Sequence, residues 1–239
     1  MIKYTDFKLI TEDIDSKLNK REYNNILKRI GVTGNTGKFS LSNIDGNRVK
    51  IKASELTPSQ TDIFLDKIFA HLIDLEKFVK KAIKGKVKDD DILISSDNHI
   101  IDGHHRWASA YILNPDCKMK CTQINLTLEE SIPVLTNLIK NKASNQKEKS
   151  DTDYKYNIYD LVSLSKDDLL AALSKIIKKE DPEKVSRFLD KVYKKNDSDL
   201  HPLNFFVKNI QKLPNPQYHL ERADMPQLSS EEIEKIIKD

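Results

Sequence analysis

The chain has 239 residues, of which 32% are charged and 38% hydrophobic, and a formal net charge of +3. That length allows one sizeable core plus a smaller extension, and so small a net charge is no argument for nucleic acid by itself. No run of about 18 apolar residues is present and the first residues lack the apolar centre of a signal peptide, so the expectation is a soluble, cytoplasmic protein with no membrane partner.

Residues 1–48 read as an N-terminal extension. Phe7, Leu9, Ile10, Ile14 and Leu18 follow no single period, whereas Tyr23, Ile26, Leu27 and Ile30 have helical spacing. Gly31 to Ser40 resembles a phosphate loop at a glance. A Walker A motif needs glycine where Val32 stands and Ser or Thr where Phe39 stands, so the stretch reads as a loop between helix and strand.

Residues 49–143 carry alternating strand and helix signals and predict an α+β domain. Arg48 to Ala53 alternates like a strand, and Thr57-Pro58-Ser59 reads as a helix start capped by Thr57 or Ser59. Thr61 to Ile83 predicts one long amphipathic helix ending near Gly85, with His71 a packing or surface residue. Lys80, Lys81, Lys84, Lys86 and Lys88 form a basic run, read as a solvated helix end, with a phosphate-rich partner as the alternative. Asp91 to Ser95 and His99 to Asp102 predict a hairpin about Ser96-Asp97-Asn98. The helix from His104 to Leu113 stops at Asn114-Pro115-Asp116, Met119 to Leu126 is a strand, and Leu128 to Ile139 a helix. Cys117 and Cys121, the two cysteines, lack the partners of a zinc site.

A polar linker is expected over 144–155, and residues 156–212 form a helical region with helices at Ser165 to Ile177 and Pro182 to Tyr193. Residues 213–239 read as an extended arm closed by a short helix from Ser229 or Ser230; such an arm either wraps a neighbouring subunit or is a loose tail.

The chemistry concentrates at Asp102-Gly103-His104-His105-Arg106-Trp107. A strand running through a glycine turn into a helix brings unpaired N–H groups and the positive end of the helix dipole to one point, which suits an anion. Arg106 offers a planar fork to a phosphate. His104 and His105 diverge by about 100° on a helix. The expectation is that His104 touches the phosphate or transferring group while His105 packs or hydrogen-bonds. Asp102 could bind Mg²⁺, serve as general base or cap the helix. Trp107 and Tyr111 are expected to pack under the site, and a His99, His104, His105 metal cluster is not expected.

Ile101 to Ala108 resembles the phosphate-binding motif of the ParB/sulfiredoxin superfamily, in the Asp-Gly-His-His-Arg form of its free-serine kinase branch and of phage ParB-like proteins. The resemblance covers roughly Lys50 to Asn141. It implies a ParB/sulfiredoxin-like small mixed sheet with flanking helices. It also implies a nucleotide (ATP, ADP or CTP) with Mg²⁺, its phosphates held by Gly103, His104, His105 and Arg106. Ala53 to Gln60 looks like the family's Leu-x-Pro box, with Thr57 and Gln60 beside the nucleotide. The kinase branch has its general base where Gln60 stands, and glutamine cannot take a proton, so either Glu55, Asp62 or Asp102 supplies it or the chain does not run that kinase reaction. Sulfiredoxin's cysteine is replaced by His104. The joint Lys179-Glu180-Asp181-Pro182 does not resemble the helix-turn-helix of partition proteins.

These features lead to an expectation of a nucleotide-binding protein, catalysing NTP hydrolysis, phosphoryl transfer or DNA cleavage through Asp102, His104 and Glu55. The alternative is a non-catalytic assembly module of a phage particle or nucleoprotein complex. Further partners under these readings are nucleic acid without sequence-specific readout, a second copy of the chain, or phage structural proteins through the C-terminal arm. The Lys-, Ile- and Asn-rich composition suits an AT-rich phage genome, hence host cytoplasm or virion.

Overall fold

Helix α1 (Lys20–Arg29) leads into strand β1 (Gly46–Lys52), a 3₁₀ turn at Ala53–Glu55, and the short strands β2 (Thr57–Pro58) and β3 (Asp62–Phe64). Then come α2 (Leu65–Asp74), α3 (Glu76–Ile83), β4 (Lys86–Ile94), β5 (His99–Asp102), α4 (His104–Leu113), β6 (Lys118–Ile124) and α5 (Leu128–Ile139). The chain continues with β7 (Lys155–Asn157), α6 (Ile158–Ser163), α7 (Lys166–Lys179), α8 (Pro182–Asn196), α9 (Pro202–Ile210) and α10 (Ser230–Glu234). The structure is a computed structural model and describes residues 20–31, 40–139, 155–196, 202–216, 218, 220 and 225–237. The expected pattern over Met1 to Leu18, most of the phosphate-loop-like stretch and the 144–151 linker lie outside them.

The fold is α+β: a mixed five-stranded sheet, in the order β1-β6-β4-β5-β2, with helices against both faces. β1–β6 and β4–β5 pair antiparallel, β4–β6 and β2–β5 parallel. Val87, Ile92 and Ile94 of β4 and Met119 and Cys121 of β6 join one apolar cluster with α2, α3 and α4. Helices α7, α8 and α9, expected as a region of their own, enter that same cluster. Phe206 lies 5.3 Å edge-on from Phe69 and 5.6 Å stacked on Phe188. Leu93, Ile101 and Ile124 point to the other face and meet α1, α5 and the C-terminal segment.

Three expectations are corrected. Residues Thr61 to Ile83 do not make one helix: Asp62–Phe64 is a strand paired with Lys155–Asn157, and the remainder bends at Leu75. A single straight helix would spread Leu72, Ile73, Leu75, Phe78 and Val79 over more than half its circumference; the bend lets all but Leu75 be buried. Thr57-Pro58-Ser59 starts no helix; it pairs in parallel with His99–Ile100, and the Ser59 hydroxyl donates to the Ile100 carbonyl. Finally, the described part of the C-terminal arm is not loose but packs on its own chain. Leu220, Met225, Leu228, Ile233 and Ile236 are buried in the second cluster, and the Gly46 N–H donates to Ile236. Ser229 caps α10 in a reciprocal box with Glu232.

Among the described residues no helix is long and apolar enough to cross a membrane. Cys117 and Cys121 are buried and joined in no disulfide, and burial pushes the Cys121 thiol up to about 12. They are packing residues.

Candidate functional site

β5 ends at Asp102, and Gly103 makes the turn into α4 with φ 99°. A Cβ at Gly103 would be strained by that φ and would stand 3.0 Å from Ile92 Cγ1, so the site needs glycine twice over. The Gly103 carbonyl accepts the first helical hydrogen bond, from Trp107 N–H at 2.9 Å. Beneath the turn Trp107 is fully buried, its indole N–H donating to the Ala53 carbonyl at 2.9 Å and its ring 5.6 Å from that of Tyr111. Both aromatic residues pack under the site as their spacing predicts.

A cavity of about 210 Å³ opens over this turn. It is lined by Gln60, by Ile101 to Arg106, and by Met225, Pro226 and Gln227 of the C-terminal segment.

The two histidines look inward. His104 is buried, and its Nε2 accepts the backbone N–H groups of Ser59 at 3.2 Å and Gln60 at 3.1 Å. His105 Nε2 accepts the Phe64 N–H at 3.2 Å, with the two rings 5.6 Å apart. A nitrogen that accepts an N–H must offer a lone pair, so in this arrangement both imidazoles are neutral and carry their proton on Nδ1. Together they hold the Ser59–Phe64 segment against the first turn of α4. His104 therefore does not offer Nε2 to a phosphate: that atom is occupied by the fold.

Asp102 is also engaged. One carboxylate oxygen accepts Gly103 N–H at 2.8 Å, and the other accepts Leu228 N–H at 3.3 Å, tying the C-terminal segment to the motif. Gln60 lines the cavity but is buried, and its side-chain amide donates to the Asp62 carbonyl. Arg106 is different. It is half-buried, lies against the turn so that a Cβ on Gly103 would be 3.4 Å from its Nη2, and has no hydrogen bond or ion pair among the described residues.

Glu55 and Thr57 fall away from the cavity. β2 runs parallel to β5, so the residue before β2 sits at the opposite end from Asp102; Glu55 is exposed there and accepts Lys52 N–H at 3.3 Å. Thr57 faces His99 in the ladder, and Asp62, buried in β3 opposite Asn157, lines no part of the cavity. No group of three His, Cys, Asp or Glu among the described residues could hold a metal ion.

Sequence reasoning missed Met225, Pro226 and Gln227. The available signal was the run of apolar residues Leu220, Met225, Leu228, Ile233 and Ile236 in a segment read as an arm; apolar side chains at that density need a core to cover.

No family model matches this chain, and neither a curated protein nor a solved structure matches it.

Proposed function

We propose that this chain binds the phosphate group of a nucleotide over the Gly103 turn. The observation that carries the reading is Arg106: a half-buried guanidinium without a protein partner among the described residues, held beside a helix start where an anion also finds N–H donors. A buried cation is normally paired, and the partner chemistry that fits a fork, N–H groups and a positive dipole is a phosphate. The resemblance of Ile101 to Ala108 to the ParB/sulfiredoxin motif supports the same ligand class, ATP, ADP or CTP. Small-molecule sites commonly measure about 300–1,000 Å³. The cavity is smaller, which suits phosphate groups with the nucleoside reaching out past Met225 to Gln227.

Among the described residues, Asp102 is the one carboxylate lining the cavity. Mg²⁺ is often held by a single carboxylate plus substrate phosphates, so it would arrive with the nucleotide and use Asp102 as its protein ligand. It would supply charge neutralisation between the phosphates.

A second reading, a binding or assembly module without turnover, is favoured by a specific observation. Hydrolysis or phosphoryl transfer needs a group that accepts a proton from the nucleophile. Both histidines already accept backbone N–H groups through Nε2, and Gln60 cannot take a proton. Among the described residues that line the cavity, Asp102 is what remains. Binding is thus the better-supported half of the proposal.

Calorimetry with ATP, ADP and CTP in Mg²⁺ tests it on wild type and Arg106→Ala. The expected result is micromolar binding of one nucleotide, weakened by at least about tenfold in the variant, the size of one lost charge-assisted contact. Wild type that binds none of them at millimolar concentration overturns the reading.

A further inference from the structure

A second concentration of positive charge lies elsewhere, on the sheet. In the antiparallel ladder of β1 and β6, Lys50 stands opposite Lys120, and Lys52 opposite Lys118. In the parallel ladder of β4 and β6, Lys86 stands opposite Lys118. Residues in register project from the same face, and i, i+2 residues share it too, so Arg48, Lys50, Lys52, Lys86, Lys118 and Lys120 all stand on one face. Like charges directly opposite each other destabilise a sheet, and Glu at either member of each pair would remove the penalty. Here three such oppositions adjoin.

Partners are scarce. Arg48 pairs with Glu234, and Lys52 with Asp116 at 3.0 Å. Lys50, Lys86, Lys118 and Lys120 have no ion-pair partner among the described residues; the first three are exposed and Lys120 is half-buried. The patch has a defined border. Further along the same face, Thr122 and Ile124 are buried, and Ile236 of the C-terminal segment closes over Gly46. So one end of this face is covered by the second apolar cluster, and among the described residues the other end carries the unpaired lysines.

We propose that this lysine face binds the phosphate backbone of double-stranded nucleic acid without reading its sequence. The surface is a grid, with neighbouring strands about 4.8 Å apart and same-face residues on a strand about 6.6–6.8 Å apart, a spacing that suits a polyanion. Among the described residues no aromatic side chain projects among the six cations, so unpaired bases find nothing there to stack on. Nor is there an apolar residue to insert into a bilayer; the one large hydrophobic exposed among the described residues is Leu75, on the bend between α2 and α3. Contacts from Lys to phosphate position a duplex and carry no sequence information. The proposal does not depend on a ligand at Arg106.

The test is fluorescence anisotropy of the full chain with duplex DNA of mixed sequence, single-stranded DNA of equal length, and phosphatidylserine vesicles. It compares wild type with the triple variant Lys50→Gln, Lys118→Gln, Lys120→Gln, and both proteins are also melted thermally. Each neutralised phosphate contributes about −0.9 to the slope of log K against log salt, so the four unpaired lysines predict a slope of about −3.6 and roughly a hundredfold loss between about 50 and 200 mM salt. The triple variant is expected to lose about 2.7 of that slope. Its melting temperature at low salt should stay the same or rise, because repulsion has been removed. Three results overturn the proposal: no duplex binding at low salt; vesicles bound in preference to duplex through the same lysines; or a variant that melts lower and binds unchanged. The last would make the lysines structural partners of Asp89, Asp90 and Asp91, whose side chains lie outside the described residues.

Discussion

At the Asp102 to Arg106 turn the side chains are tied into the fold with one exception, whereas along β1, β4 and β6 four of six cations have no ion pair among the described residues. The first region is a half-open pocket over a left-handed glycine, walled by Met225 to Gln227. The second is an open array on a sheet face. Enclosure weakens screening and lets geometry select a small ligand; an open array attracts by charge and is screened by salt within about 10 Å at 0.1 M. The difference teaches how to separate two kinds of anion binding in one chain. A mutation at the turn should alter either stability or a salt-tolerant affinity, and a mutation on the sheet should alter the salt dependence.

The largest effect expected is on stability, at His104. His104→Leu keeps an apolar side chain in a buried position but removes the acceptor of the Ser59 and Gln60 N–H groups. Each buried donor left unpaired costs about 1–3 kcal/mol, so urea unfolding should give a loss of about 2–5 kcal/mol. Arg106→Ala, by contrast, should stay within about 1 kcal/mol of wild type, because only packing against the turn is lost and no hydrogen bond or ion pair among the described residues. If His104→Leu proves as stable as wild type while nucleotide affinity collapses, the histidine is a ligand group, and the contrast between tied and untied side chains fails.

Asp102 comes next. Its carboxylate joins the turn to the C-terminal segment through Gly103 and Leu228 N–H groups. Asp102→Ala should cost about 1–2 kcal/mol and speed exchange of the Leu228 amide by about tenfold, read by hydrogen exchange. The same variant probes the metal. Removing a negative charge beside the cavity should raise affinity for inorganic phosphate without metal, whereas a fall in affinity for Mg²⁺-nucleotide identifies Asp102 as the ion's protein ligand.

What the sequence made legible was local. Strand, glycine turn and helix from His99 to Leu113 follow from adjacent residues, and so do the Ser165 and Ser229 caps and the packing of Trp107 and Tyr111. What it hid was long-range. Ile63 and Phe64 fit a helical period as well as a strand, and the choice was made by Lys155–Asn157, far away in the chain. Glu55 looked close to the motif until the parallel pairing of β2 with β5 sent it to the other end. The divergence of adjacent helical side chains suggested that one histidine faces the ligand. Both instead meet the Ser59–Phe64 segment, which passes the first turn of α4 closely enough to offer N–H groups to each. The lysine face needed the register of β1, β4 and β6, which no single stretch of sequence contains.

The smallest expected effect gives the sharpest comparison, because it reads the turn without touching it. His71, on α2, has its Nδ1 buried without a hydrogen-bond partner among the described residues, and its ring meets Phe78 edge-on at 4.8 Å. Burial lowers its pKa below the ordinary 6.5, and the Arg106 charge lowers it further. A histidine with a depressed folded-state pKa binds fewer protons folded than unfolded in the window below 6.5. Its contribution is therefore complete above that pH, declines as pH falls toward the folded value, and is level below it. His71→Phe should flatten that part of the stability profile. The Arg106 contribution also makes His71 a reporter. Phosphate seated on the guanidinium offsets its field, so the imidazole resonances should titrate at higher pH with ligand than without, though still below 6.5 because burial persists. Arg106→Ala should produce the same upward movement with no ligand present. Should phosphate bind the protein and leave the His71 titration unmoved, the anion is on the lysine face, and the guanidinium at Gly103 is not its site.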